Sequence, residues 1–292
     1  MRQFLRARKR AAKTTFLHVR HALEHRLTRA LAPLPAITSR ASFVLDRQTR
    51  APVLAKNSLV RLAPGSLVKL ATCILFSRVS NGRWAEAVEV LPCDLEGGST
   101  MALQVGEKVT RRDILFGMLL PSGNDAAKLA ARLIGPDWLT QMHQLRDQLG
   151  MTRTQFHNPH GRDHPAQRSC ARDLALLAAE AFSDPIIAAA ASLPRHSVNG
   201  RELVSTVRCL GSDGINAAKT ASTAAAGACL VVSYKDLIIC VLGSEVTLLN
   251  GYVVAESDKR YRDVRRIMEA LEAMPAAQAG AAAATPNPRQ AV

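Results

Sequence analysis

Ala63-Pro64-Gly65-Ser66-Leu67-Val68-Lys69-Leu70-Ala71-Thr72 is the stretch on which the reading of the chain turns. Pro64 and Gly65 set a turn, so Ser66 falls at or near a helix N-terminus. Residues three apart share a helix face, which brings the Lys69 ammonium within reach of the Ser66 hydroxyl. A serine hydroxyl is a weak nucleophile until a base takes its proton. A lysine is that base only when neutral, which burial or a nearby positive charge achieves. Leu62, Leu67, Val68, Leu70, Ile74 and Leu75 supply the burial. Taken alone the pair is common, and a helix cap beside a solvated lysine is by far the more frequent origin of it.

Two further stretches change the balance. Leu120-Pro121-Ser122-Gly123-Asn124-Asp125-Ala126-Ala127 offers a hydroxyl and a carboxamide two residues apart on a turn between helices, with both side chains expected to point out of the packing. Ala217-Ala218-Lys219-Thr220-Ala221-Ser222-Thr223 precedes the apolar run Ala228 to Tyr234. Ser-x-x-Lys, Ser-x-Asn and Lys-Thr-Gly, in that order, form the motif set of penicillin-binding proteins and β-lactamases. Gly106-Glu107-Lys108-Val109-Thr110, Leu149-Gly150-Met151-Thr152, Phe156-His157-Asn158-Pro159-His160-Gly161 and Ala225-Ala226-Gly227-Ala228-Cys229-Leu230-Val231 extend the likeness. Over about residues 36 to 272 the chain resembles D-alanyl-D-alanine carboxypeptidases, the low-molecular-mass penicillin-binding proteins.

The resemblance implies an α+β fold of the β-lactamase/transpeptidase-like kind, a central antiparallel sheet flanked by helices with a helical subdomain. It implies Ser66 as nucleophile, Lys69 as its base, and Ser122 as proton relay with Lys219 keeping Lys69 neutral. Asn124 would hold the substrate amide and Thr220 the terminal carboxylate. The backbone N–H groups of Ser66 and Ser222 would form the oxyanion hole, and Arg260 aligns with a carboxylate-binding arginine. The implied substrates are peptidoglycan stem peptides, with β-lactams as covalent inhibitors and no cofactor. Lys219-Thr220-Ala221 departs from the pattern, which has glycine third. A methyl there is expected to crowd the substrate against the strand edge and to reduce or alter activity.

Composition bounds the rest. The chain has 292 residues, 48% of them hydrophobic, and a net charge of +14. Residues 1–30 hold nine Lys/Arg (Arg2, Arg6, Arg8, Lys9, Arg10, Lys13, Arg20, Arg26, Arg29) against Glu24, so +8 of that charge sits in the first thirty residues. No aromatic interleaving or nucleic-acid motif accompanies it, which argues against a nucleic-acid partner. Phe16 to Leu23 reads as a basic amphipathic helix suited to a membrane surface. The resemblance places the protein in the periplasm or cell envelope, yet the arm has no apolar core and so no clear signal peptide. Three segments are expected: a basic N-terminal arm at 1–35, one catalytic domain at 36–274, and a disordered Ala/Pro-rich tail at 275–292, with no β-rich C-terminal domain or membrane-binding helix.

The six cysteines are scattered without a Cys-x-x-Cys pair and read as buried thiols, with a disulfide left open. His157, His160 and His164 lie in one polar loop, but no acidic or cysteine partner completes a metal site. Strands are expected at Ala41–Asp46, Pro52–Ala55, Arg201–Cys209 and Ala217–Ser222, and a hairpin around Lys235-Asp236. Short strand-like segments are expected over 83–109, around Gly97-Gly98. Helices are expected after Ser66, after Thr110 as cap, over Asp125–Leu133, Trp138–Leu149, Cys170–Phe182 with Ser169 as cap, and Lys259–Met274.

The leading expectation is a serine-type D-Ala-D-Ala carboxypeptidase. A D,D-endopeptidase of the same superfamily and a catalytically impaired peptidoglycan-binding homologue are the alternatives, and a cytoplasmic esterase a more distant one. A β-lactamase is disfavoured because no Glu-x-x-x-Asn occurs between Asn124 and Lys219.

Overall fold

The computed structural model describes residues 34–211, 214–250, 252–256 and 258–274. The basic arm up to residue 33 and the tail from 275 lie outside these residues. The strands are β1 (Ala41–Asp46), β2 (Pro52–Lys56), β3 (Ala87–Glu89), β4 (Lys108–Thr110), β5 (Arg195–Val198), β6 (Arg201–Val204), β7 (Ile215–Thr223), β8 (Gly227–Tyr234), β9 (Leu237–Ser244), β10 (Val246–Leu249) and β11 (Tyr252–Glu256). The helices are α1 (Lys69–Ser80), α2 (Arg111–Leu119), α3 (Asn124–Ile134), α4 (Trp138–Gln148), α5 (Ala171–Ala181), α6 (Pro185–Ser192) and α7 (Lys259–Glu272).

Five strands form an antiparallel sheet in the order β2-β1-β9-β8-β7. Its central strands are apolar at nearly every position because both faces are covered. Phe43, Leu45, Val231, Ile238 and Cys240 turn to the helices α1 to α6, whereas Val44, Leu230, Val232, Ile239 and Val241 pack with Val264, Ile267 and Met268 of α7. The period of two along each strand thus sorts one chain segment into two cores. Helix α1 runs through the larger core with Lys69 through Phe76 all buried, as a helix apolar on every side must. Each of its fully buried leucines or isoleucines contributes about 1.5–3 kcal/mol of transfer free energy. Asn81 closes the helix in the left-handed conformation, φ 45°.

Thr110 caps α2 as expected: its side chain accepts from the Asp113 N–H, and the Asp113 carboxylate accepts from the Thr110 N–H. Other expectations are corrected. Ser169 is not a cap, since its hydroxyl bonds Thr154 at 2.7 Å and helix α5 starts after Cys170 without a side-chain cap. The strand from Arg201, which follows the turn at Asn199-Gly200 and pairs back on β5, ends at Val204, and the Thr206 N–H turns to the Leu120 carbonyl. Short strands do form at the two ends of 83–109, as β3 and β4, whereas residues 90–107 around Gly97-Gly98 are a loop with a 3-10 turn at Pro92–Asp94. Helix α6 and the β10–β11 hairpin have no counterpart in the sequence reading. No disulfide joins the six cysteines, all among the described residues, and burial pushes the thiols of Cys73 and Cys170 up to about 12.

Candidate active site

Gly65 to Val68 form a short 3-10 turn that leads straight into α1, so Ser66 precedes the helix by less than a turn and Lys69 begins it. The spacing places the Lys69 Nζ 2.9 Å from the Ser66 Oγ. Two further oxygens flank the amine, the Asn124 Oδ1 at 2.8 Å and the His160 carbonyl at 2.6 Å. Lys69 is wholly buried, and burial first, then the Lys219 ammonium, push its pKa well below the ordinary lysine value. The partner set fits a neutral amine, which carries two hydrogens and one lone pair. The Asn124 and His160 oxygens can only accept, so they take the two N–H bonds. The lone pair is left facing Ser66, the one partner with a proton to give.

Ser122 sits at φ 62° on the turn between α2 and α3. The expectation that Ser122 and Asn124 point out of the packing is corrected: both are buried, at 4% and 6% exposure, and turned inward onto the two lysines. The Ser122 hydroxyl accepts from the Lys219 Nζ at 2.8 Å. Asn124 is held from behind, its Nδ2 donating to the Gly97 carbonyl and its N–H to the Ser99 carbonyl. Asp125 fixes that loop in turn, accepting from the N–H groups of Met101 at 3.0 Å and Leu103 at 3.1 Å and from the Thr100 hydroxyl.

Strand β7 is an edge of the main sheet, and its alternation divides the third motif. Lys219 and Ala221 face the helices; Thr220 and Ser222 face the other way. The Thr220 hydroxyl bonds Thr206 at 2.6 Å. Arg260, wholly buried on α7, donates to the Ser222 Oγ at 2.8 Å and to the Ala221 carbonyl at 3.2 Å. The Ala221 methyl does not project along the strand edge. It is 3% exposed and abuts the turn at Gly65.

The loop from Phe156 to Gln167 closes the site from a third side. Asp163 accepts from the Thr223 hydroxyl at 2.6 Å and from the Ala225 N–H at 2.9 Å, while Arg162 pairs with Glu96. Gly161, at φ 91°, lies flat against the Gly65–Ser66 peptide; a Cβ there would come within 2.1 Å of the Gly65 carbonyl oxygen. The rings of His157 and His164 stack 3.3 Å apart, and among the described residues no group of three His, Cys, Asp or Glu is arranged to hold a metal ion. Of the nine residues expected at the site, Ser66, Lys69 and Asn124 form one cluster and Ser122 pairs with Lys219, while Arg260 reaches Ser222 and the Ala221 carbonyl and Thr220 bonds Thr206. The sequence reading missed Asp125, Thr206 and the His160 carbonyl. Asp125 and His160 stood inside quoted motifs, but a carboxylate bound to distant amides and a backbone oxygen leave no pattern in residue types.

Comparison with known proteins agrees with this geometry. The family model of peptidase family S11, D-alanyl-D-alanine carboxypeptidase, matches residues 28–245. The D-alanyl-D-alanine carboxypeptidase DacF of Bacillus subtilis is 30% identical over 149 residues, 49% of this chain and 38% of that protein. DacC of Escherichia coli, of the same description, is 29% identical over 235 residues, 72% of this chain and 58% of that protein. This chain thus spans about two-fifths to three-fifths of those curated relatives. Penicillin-binding protein D2 of Listeria monocytogenes, solved in its cefotaxime-bound form, superimposes with a TM-score of 0.69 at 27% identity, covering 82% of this chain and 98% of that one. With a family model matched across most of its length and the fold of a solved penicillin-binding protein, the chain belongs to the D-alanyl-D-alanine carboxypeptidase family of penicillin-binding proteins.

Proposed function

We propose that the protein is a serine-type D-Ala-D-Ala carboxypeptidase that removes the terminal D-alanine of peptidoglycan stem peptides in the cell envelope. The observation that carries the reading is the wholly buried Lys69 with its Nζ 2.9 Å from the Ser66 Oγ. In acylation, neutral Lys69 takes the Ser66 proton as Oγ bonds to the carbonyl carbon of the penultimate D-alanine. The oxyanion forms against the N–H groups of Ser66 and Ser222, where charge develops. Collapse breaks the C–N bond as the Ser122 hydroxyl passes a proton to the departing amine, and the proton that Lys69 took from Ser66 replaces it, which leaves Lys69 neutral and Lys219 charged. Water then attacks the Ser66 ester with Lys69 again as base, releasing the shortened peptide.

Recognition follows the site's polarity. Asn124 holds the substrate amide. Thr220, joined to Thr206, binds the terminal carboxylate, and Arg260 supports it by fixing Ser222 and lending positive potential from behind the strand. A β-lactam follows the same first step, but its leaving group stays tethered, so the ester persists.

The test is covalent labelling by a fluorescent penicillin. Wild-type protein is expected to take one label that Ser66→Ala abolishes, and to release D-alanine from a pentapeptide muropeptide. Folded wild-type protein that takes no label would overturn the reading. Cleavage of cross-linked muropeptides with no action on free pentapeptides would replace it by endopeptidase action.

A further inference from the structure

The one departure from the motif set, Ala221, meets in space the residue just before the nucleophile. Gly65 lies at φ 53°, and a Cβ built on it would stand 2.9 Å from the Ala221 Cβ and 3.3 Å from the Ala226 Cβ. Carbon atoms do not approach so closely in a packed interior, so the space between β7 and the Gly65 turn admits one methyl group and not two. On its other side the same turn has no slack. A Cβ on Gly161 would lie 2.1 Å from the Gly65 oxygen and 2.7 Å from the Ser66 nitrogen. The Gly65–Ser66 peptide is therefore held between the Gly161 backbone and the Ala221 methyl, and it carries both the Ser66 N–H and the serine itself.

We infer that Gly65 and Ala221 form a matched positioning pair, in which the methyl absent from Gly65 is supplied from Ala221. Ala221 is then no defect in the cleft. Its methyl fills the volume beneath the nucleophile turn, and the missing side chain at residue 65 makes room for it. Volume-conserving exchange of this kind is what a close-packed interior tolerates best. The pair acts through Ser66, setting the angle at which Oγ and the Ser66 N–H face the substrate carbonyl. It rests on the proposed acylation of Ser66.

The experiment measures acylation by a fluorescent penicillin, resolved into the initial binding constant and the first-order acylation rate. The proteins are wild type, Ala221→Gly, Gly65→Ala and the double variant. Ala221→Gly is expected to slow the first-order step two- to fivefold, because it leaves a void beside a glycine already free to move. Gly65→Ala is expected to slow it about 30-fold or more with a smaller change in the binding constant. The double variant is expected to recover at least fivefold over Gly65→Ala, short of wild type because alanine at a positive φ stays strained.

Two results would overturn the pairing: a tenfold or greater acceleration in Ala221→Gly, which would make Ala221 an obstruction, or a double variant no faster than Gly65→Ala. If the wild type takes no label, the proposed function fails by itself and the pairing is read from thermal unfolding. The double variant should then regain at least half of the melting temperature lost in Gly65→Ala; no recovery refutes the pair.

Discussion

Asp125 is the residue whose loss should separate the fold from the site most sharply. Its carboxylate, 2% exposed, accepts from the Met101, Leu103 and Ala126 N–H groups and from the Thr100 hydroxyl. The first two are buried amides from a distant loop, and Asp125→Ala leaves both without an acceptor. At about 2 kcal/mol for each orphaned buried donor, the loss comes to about 4 kcal/mol. For a domain of this size, that lowers the melting temperature by about 8–16 °C. Asp125→Asn is no rescue, because each oxygen serves an amide N–H, and an NH2 group at either place faces a donor. The Ser99 and Gly97 carbonyls that orient Asn124 lie on the same loop, so acylation by a fluorescent penicillin should also fall, by about 10²-fold, in protein that is still folded. Urea unfolding and labelling kinetics read the two effects separately. A loss below about 1 kcal/mol in Asp125→Ala, or full stability in Asp125→Asn, would refute the accounting. Unaltered acylation at reduced stability would refute the positioning role.

Three further outcomes are expected. Lys219→Met removes the cation that helps depress Lys69, so the Lys69 pKa rises and the acid limb of the acylation rate moves to higher pH; an unmoved limb would show that burial alone sets it. Burial holds His160 neutral, its pKa lowered from 6.5 to about 4, and its Nδ1 accepts from the Arg162 N–H. The unfolded chain then binds the extra proton between those two values, so stability is complete above pH 6.5 and falls by up to about 3 kcal/mol toward pH 4. His160→Gln should flatten the urea midpoint across that window, and an unchanged slope would contradict the assignment. Gly161→Ala must displace the Ser66 peptide, and its acylation should drop about 10²-fold; a rate near wild type would show that the loop yields instead.

The motif residues were readable because their chemistry depends on short spacing. A serine and a lysine three apart meet on a helical turn, as Thr110 and Asp113 do at a cap. The apolar runs of β8 and β9 likewise announce strands buried on both faces. What the sequence left unread depends on contacts between distant segments. Arg195 to Val198 becomes a strand only because β6 folds back on it, and Ser169 spends its hydroxyl on Thr154 rather than on the helix beside it.

The sequence by itself determined which groups could do chemistry and on what kind of local element each would stand, because periodicity and turn residues act within a few positions along the chain. Only the tertiary structure decided which of them touch. It set the Lys69 amine against the His160 carbonyl 91 residues away and Lys219 against Ser122 across 97. It also packed the Ala221 methyl against the turn at Gly65. Burial depth and the direction of a side chain are properties of packing, and packing is settled by residues far apart in sequence.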